Sequence, residues 1–323
     1  MPQANQTRET EPLQLGPFPK GMNNMARDYA LPEGFVRDAL NVDQDLTGHF
    51  RLRDGTTKVV SCTLPTAFLE GDYLYYAADG SIYQAVVTAG NLVSTQLSGT
   101  ASIGAKVCFC RTPLKLLASD TLRIYEIIGT SFMPLVVPIT FDNIRNNMKT
   151  GEYLAQLPGG KKLIMHGARL YSVLGNSINY SDPYDYYRYR PLTNAYRFDS
   201  EVKVCESLAT GMLIGAEKLY FLPGMDPTSA EMKVLSDDQA IGSKRVKDGA
   251  YVVLKNYGLV FVDDQGLIKY LQQSVVAIPE SSYSNVSIVE RDGDRAVLFD
   301  LDNSAGSSMA ARSYMDITVY KGP

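Results

Sequence analysis

Residues 71–87 read GDYLYYAADGSIYQAVV, two runs of alternating large apolar and smaller or polar side chains joined by Asp79-Gly80. Alternation with a period of two puts one face of a strand into a core, and an Asp-Gly pair supplies the positive φ angles that a type I′ turn demands. The stretch therefore reads as a β-hairpin, and its pattern recurs along the chain. KLLASDTLRIYEI turns at Asp120, ARLYSVLGNSINYSD at Gly175-Asn176 and TGMLIGAEKLYFLPG at Ala216-Glu217. AYVVLKNYGLVFVDDQG turns at Tyr257-Gly258, SIVERDGDRAVLFDLD at Asp292-Gly293, and a weaker unit, VDQDLTGHFRLRDG, at Thr47-Gly48.

The spacing of these centres decides the architecture. From 79 to 120 is 41 residues, and the next intervals are 55, 41, 41 and 35. A repeat near 41 residues, with about four short strands per unit, is that of a β-propeller blade. The long interval carries TFDNIRNNMKTGEYLAQL, Thr140 to Leu157, which reads as a short helical insert near 140–157. Residues 1–34 are polar, punctuated by proline and outside the repeat, so they read as an extended N-terminal arm. Setting aside about 35 residues leaves 323 − 35 = 288, and 288/7 is about 41. The expectation is an all-β chain: a single propeller domain over 35–323, with seven blades. A pair of β-sandwiches is the alternative, disfavoured by the three equal intervals and by the lack of a Pro-, Gly- or Ser-rich linker near the middle of the chain.

Composition narrows the chemistry. With 31 Lys and Arg against 35 Asp and Glu the net charge is −4, so the basic field of a protein that grips nucleic acid by counterion release is absent. The N-terminal stretch has no apolar run of the secretory kind, and no window approaches the roughly 18 apolar residues of a membrane helix, so a soluble protein is expected. Cysteines 62, 108, 110 and 205 lack zinc-finger spacing and read as reduced, buried thiols. His49 and His166 are the only imidazoles, and His166, following Leu163-Ile164-Met165, reads as a core or turn residue rather than a base. No G-x-S-x-G elbow appears, and LPGGKK at 157–162 lacks the phosphate-loop pattern. Asp292, Asp294, Asp300 and Asp302 lack calcium-loop spacing and read as turn carboxylates. Arg51 and Arg53 share a strand face and either pair with Asp43 and Asp45 opposite or bind another subunit or DNA. No enzyme activity, cofactor or metal is expected.

Tyrosine is the surplus residue, 21 copies against 11 Phe and no Trp, and it concentrates in PYDYYRYRPLTNAYRF, 183–198. Tyr184, Tyr186, Tyr187 and Tyr189 stand there with Arg188 and Arg190 in what reads as a partly exposed blade connection. Tyr and Arg anchor interfaces because they combine contact area with a polar tip. A protein interface is the first reading; a packed inter-blade connection and a stacking platform for sugar or nucleic acid are the others.

Three stretches together resemble structural proteins of tailed-bacteriophage virions. LGPFPKGMNNMARDYALPEGFVRDALNVDQDLTGHFRLRDG, 15–55, holds the Gly-x-Asn-Asn segment 21–24, with Gly21, Asn23 and Asn24, then Leu31-Pro32-Glu33-Gly34, Asp38 to Asp43, and Arg51-Leu52-Arg53-Asp54-Gly55. ARLYSVLGNSINYSDPYD, 168–185, and LYFLPGMDP, 219–227, are similar to blade segments of the same group. The resemblance implies a propeller serving in the tail nozzle, hub or head-to-tail region. The nozzle and hub proteins of this group are larger, with a platform or tube-forming domain besides the propeller, whereas this chain is expected to be hardly more than the disc.

The combined expectation is a non-enzymatic component of a bacteriophage virion, located in the tail or neck and made in the host cytoplasm. Its partners would be other tail or head-to-tail proteins and copies of itself in a ring, six-fold among the options, with passing contact with genomic DNA. Candidate contact residues are Gly21, Asn23 and Asn24 in the arm, with Tyr184, Tyr186, Tyr187, Arg188, Tyr189 and Arg190. The competing classes are a glycan-binding receptor module at the tail tip and a propeller glycoside hydrolase. The latter would need a tyrosine nucleophile beside a carboxylate and a cluster of arginines.

Overall fold

The computed structural model describes residues 30–31, 42–44, 50–52, 67–89, 91–99, 102–104, 107–136, 154–255, 258–272, 283–291, 294–301 and 313–317. The chain divides into two compact units, residues 56–273 and residues 1–55 with 274–323. In the second of these, β1 (Val42–Gln44) pairs antiparallel with β2 (Phe50–Leu52), and the register sets Asp43 opposite Arg51.

The 56–273 unit is built of five antiparallel meanders. The first is β3 (Ala67–Glu70), β4 (Tyr73–Ala78), β5 (Ser81–Thr88) and β6 (Asn91–Gln96). After β7 (Ser98–Gly99) comes the second: β8 (Cys108–Arg111), β9 (Leu116–Ser119), β10 (Ile124–Ile128) and β11 (Ser131–Pro134). Beyond β12 (Ala155–Gln156), the third consists of β13 (Lys162–His166), β14 (Arg169–Leu174) and β15 (Ser177–Tyr180), then β17 (Ala195–Arg197) past the short β16 (Arg188–Tyr189). The fourth is β18 (Val204–Leu208), β19 (Gly211–Gly215), β20 (Leu219–Pro223) and β21 (Lys233–Ser236). The fifth is β22 (Ala240–Val246), β23 (Gly249–Leu254), β24 (Gly258–Asp263) and β25 (Ile268–Gln272). The other unit contributes a three-stranded sheet of β26 (Tyr283–Arg291), β27 (Asp294–Leu301) and β28 (Ser313–Ile317). The described chain is thus all-β, and its successive meandering sheets are those of a β-propeller.

All seven hairpin centres fall at the junction of two paired strands, and in the five four-stranded meanders these are each time the second and third strands, with Gly258 itself the first residue of β24. Asp79 and Gly80 take φ angles of 49° and 74°, the pair of left-handed residues that a type I′ turn requires. The extra residues of the 120-to-175 interval sit between β11 and β13. The expected helical insert lies for the most part outside the described residues. Its end differs from the expectation: Ala155 and Gln156 form a strand, because the β16 segment offers them a ladder partner at Tyr189 and Arg188.

Successive sheets stack face to face, with contact between the first strands β3, β8, β13, β18 and β22 in turn. Strand alternation supplies both neighbours. On β13, Leu163 joins Cys108, Leu117 and Ile124 of the second sheet, while Ile164 joins Cys205, Met212 and Leu222 of the fourth. On β18, Cys205 faces back to the third sheet and Val204 forward to Ala250, Val252 and Val260 of the fifth. This two-sided burial explains strands such as Leu116–Ser119 and Gly211–Gly215, which are buried throughout rather than alternating with solvent.

Two local devices finish the second sheet. β7 pairs in parallel with its outer strand β11, covering an otherwise open edge, and Gly99 is needed there because a Cβ would run into the Phe132 ring. At the β9–β10 turn the buried Asp120 carboxylate accepts the amides of Gly104 (2.9 Å), Leu122 (2.8 Å) and Arg123 (2.6 Å) and the Tyr125 hydroxyl (3.0 Å). Burial alone would raise its pKa, but these donors hold it below the usual carboxylate value. Asp120→Ala should lower the unfolding free energy by about 2–4 kcal/mol, because buried donors lose a charged acceptor; urea titration measures it, and a change within error would contradict the role of this brace.

Candidate functional site

The tyrosine- and arginine-rich segment connects β15 to β17 and closes largely on itself. Asp182 bridges to Asp185, donates its amide to the Arg188 carbonyl (3.1 Å) and accepts the Asn194 side-chain amide (2.8 Å). Each arginine of the loop is matched by a carboxylate: Arg188 Nε to Asp185 at 2.6 Å and Arg190 to Asp182 at 3.2 Å. The loop is fixed to its neighbours by the β12–β16 ladder and by the Leu157 amide, which donates to the Tyr187 carbonyl (2.7 Å).

These pins separate the tyrosines that sequence reading grouped together. Tyr186, 6% exposed, is buried among Cys108, Leu117, Ile124, Leu157 and Leu170 between the second and third sheets, with Tyr187 and Tyr189 packed against that cluster. For Tyr186 the expectation of an outward contact is corrected: its ring belongs to the inter-blade core, packed with Leu157 and the side chains of the two sheets. Tyr187 is half-buried beside Glu126, and desolvation with that carboxylate pushes its hydroxyl up to about 12. Tyr184 alone is thrust outward, 80% exposed, at a φ of 60°. For a non-glycine residue this conformation costs on the order of 1 kcal/mol, and it is held by the Tyr184 amide donating to the Ala168 carbonyl at 2.7 Å. Arg188 and Arg190 are exposed beside it. Gly21, Asn23 and Asn24 lie outside the described residues.

A second loop reaches the same turn. A Cβ on Gly167 would lie 3.0 Å from the Met225 carbonyl oxygen and 3.3 Å from its Cβ, so Met225, 49% exposed, and Tyr184 flank the Gly167-Ala168 turn. Beneath them Arg169, almost buried, donates to the Ser181 carbonyl (2.9 Å), reaches Asp226 (3.4 Å) and lies 5.6 Å from the centre of the Tyr180 ring. Tyr171, Tyr180 and Tyr196 continue as a row of mutually tilted rings with centres 5.6 Å apart, and the Tyr196 hydroxyl donates to the Pro227 carbonyl (2.6 Å). His166 spans the same junction, its Nε2 3.0 Å from the Gly224 carbonyl and its Nδ1 2.9 Å from the Ser207 hydroxyl. The carbonyl can only accept, so Nε2 carries the proton and Nδ1 accepts from Ser207.

Sequence reading assigned no role to Arg169, Asp226 or Met225. The motif stretches 168–185 and 219–227 contain them, but only the fold joins the two. The tyrosine–carboxylate pairs a hydrolase would need are also present as pairs, Tyr125 with Asp120 and Tyr220 with Glu217. Both phenols are pushed up to about 12, by desolvation and then by the carboxylate, the reverse of what a nucleophilic phenolate requires. Burial would raise the Glu217 pKa, but the Tyr220 hydroxyl, followed by the amides of Ser200 and Asp199, donates to its carboxylate and holds it below the ordinary value. Cys108, Cys110 and Cys205 are buried free thiols; desolvation raises them to about 12, about 11 and about 12. Among the described residues no group of His, Cys, Asp and Glu side chains could hold a metal ion, and no helix is long and apolar enough to cross a membrane.

No family model matches the chain, and no curated protein matches it by sequence. Its fold is similar to solved structures at low identity. The computationally designed Ika8 protein is 12% identical with a TM-score of 0.45, over 84% of this chain and 75% of that one. The WD40 β-propeller domain of Doa1 is 10% identical with a TM-score of 0.47, over 81% and 85%. BBS1N, solved in complex with ARL6DN, is 13% identical with a TM-score of 0.44, over 76% and 77%.

Two substitutions two positions apart should behave oppositely. Tyr186→Ala should cost about 3 kcal/mol or more of stability by opening a core cavity, whereas Tyr184→Ala should stay within about 1 kcal/mol; equal losses in chemical denaturation would contradict the inward–outward division. Just below pH 6.5 the pH dependence includes a contribution from His166, whose pKa burial and the Arg245 cation lower below 6.5 against the opposing pull of the Gly224 carbonyl. The unfolded chain therefore takes up a proton first, and stability should fall as pH drops below 6.5 toward the folded pKa. His166→Gln should flatten that part of the profile; an unchanged slope would place its cause elsewhere.

Proposed function

We propose that the chain is a non-enzymatic structural protein of a bacteriophage virion, a propeller subunit of the tail nozzle, hub or head-to-tail region. The virion assignment rests on the joint resemblance of 15–55, 168–185 and 219–227. The observation that carries the assembly role is the loop 182–190, which buries Tyr186 to fix its base and presents Tyr184 on a backbone already locked. A rigid, exposed aromatic loses little entropy on docking, which is what an interface anchor needs. Partners are neighbouring tail proteins and copies of the chain around the phage axis, where heterologous contacts close into a ring.

The charges favour protein over DNA as the partner of this surface. Arg169, Arg188 and Arg190 each have a carboxylate partner, so phosphate would have to displace an existing ion pair. A second reading, a glycan-binding module at the tail tip, draws on the same exposed Tyr184 ring, since flat aromatic faces also stack on sugars. Gold-labelled antibody against the chain on intact virions separates these. Label along the tail axis or at the neck is expected; label confined to distal fibre tips would transfer the chain to the receptor reading, and particles without label would overturn the virion role.

A further inference from the structure

We propose that the surface formed by Tyr184 and Met225 is the docking site for residues 12–19 of a second copy of this chain. The inference rests on reading the Tyr184 loop as an assembly contact and names what occupies it.

The surface has a definite chemistry. Its two most prominent side chains, one aromatic ring and one thioether, flank the Gly167-Ala168 turn and carry no charge. The nearest ionic groups are spent on one another, Arg169 with Asp226, Arg188 with Asp185 and Arg190 with Asp182. Such a site discriminates against an anionic ligand and offers little to a strongly polar one. It suits a short uncharged apolar segment, which a tyrosine face and an adaptable methionine accommodate by contact alone.

The chain contains such a segment. Residues 12–19 read PLQLGPFP, eight residues without a charge, bounded by Glu11 and Lys20. Three prolines favour the extended polyproline conformation, whose ordering cost is largely met before binding and whose rings pack on aromatic side chains. Ten residues separate Pro19 from Ala30, the first described position, a span of up to about 35 Å when extended. In the proposal this segment lies on the next copy, a head-to-tail contact that a ring repeats at every interface.

Mixed-isotope crosslinking tests this. The full chain is prepared with Phe18→benzoylphenylalanine at natural abundance, mixed with ¹⁵N-labelled wild-type chain at concentrations where sedimentation shows self-association, and irradiated. Crosslinks joining position 18 of the light chain to residues 181–192 or 224–228 of the heavy chain are expected. Self-association should weaken about tenfold in Tyr184→Ala and in a chain lacking residues 1–20. Crosslinks only within one chain, or only to other surfaces, would overturn the inference. If deleting 1–20 leaves self-association intact while Tyr184→Ala impairs it, the occupant is wrong and the contact surface stands. If neither variant changes it, or the wild-type chain does not self-associate, both fall.

Discussion

Every sheet of the 67–272 region except those at its ends has to bury both faces at once. That requirement governs the sequence more strongly than any single bond does. Because successive side chains on a strand point to opposite faces, each inner strand supplies two cores by turns, as Leu163 and Ile164 do on β13 and Val204 and Cys205 on β18. The stack tolerates little excess volume. A Cβ on Gly215 would run into that of Ala240 on the next sheet and meet Val204 at 2.9 Å, so the fourth and fifth sheets approach only because that position has no side chain. The turns then need anchors of their own, and short polar side chains provide them: Asp120 on the second sheet, Glu217 on the fourth and Asp263 on the fifth each accept backbone amides.

The candidate contact surface is a by-product of the same packing. The seam between the second and third sheets is filled by a connection rather than by strands alone, and Tyr186 is the residue that fills it. Once that ring is buried and residues 188–189 are paired to 155–156, residue 184 is held at the outer bend of a short loop with its backbone constrained. Rigidity therefore comes from stability elsewhere, which is how a strained backbone conformation is kept at an exposed position. The seam between the third and fourth sheets is tied by Arg169, His166 and the Tyr196 hydroxyl on the Pro227 carbonyl, so the second flank of the surface, at Met225, rests on an equally ordered base.

What sequence reading recovered was the local part. An Asp-Gly turn between alternating runs carries its own conformational instructions, and the repeat in those turns located the second-to-third strand turn of the meanders. The division of the tyrosine segment into buried and exposed residues was not legible. Nothing between 183 and 190 distinguishes Tyr186 from Tyr184 by pattern; the distinction comes from a ladder with residues 155–156, more than thirty positions earlier, within a stretch that reads as helical. Arg169 and Asp226 were missed for the same reason, since they meet from positions 57 apart in the chain. Short strands at sheet margins answer to whichever partner the fold supplies, and propensity is a weak guide to them.

Hydrogen–deuterium exchange, comparing the dilute monomer with the self-associated chain, tests the central claim that the Tyr184–Met225 surface is a preformed contact surface. The account predicts that 182–190 is already slow to exchange in the monomer, and that association adds protection at 167–169, 181–192 and 224–228. Fast exchange of 182–190 in the monomer, or new protection confined to other parts of the chain, would contradict it.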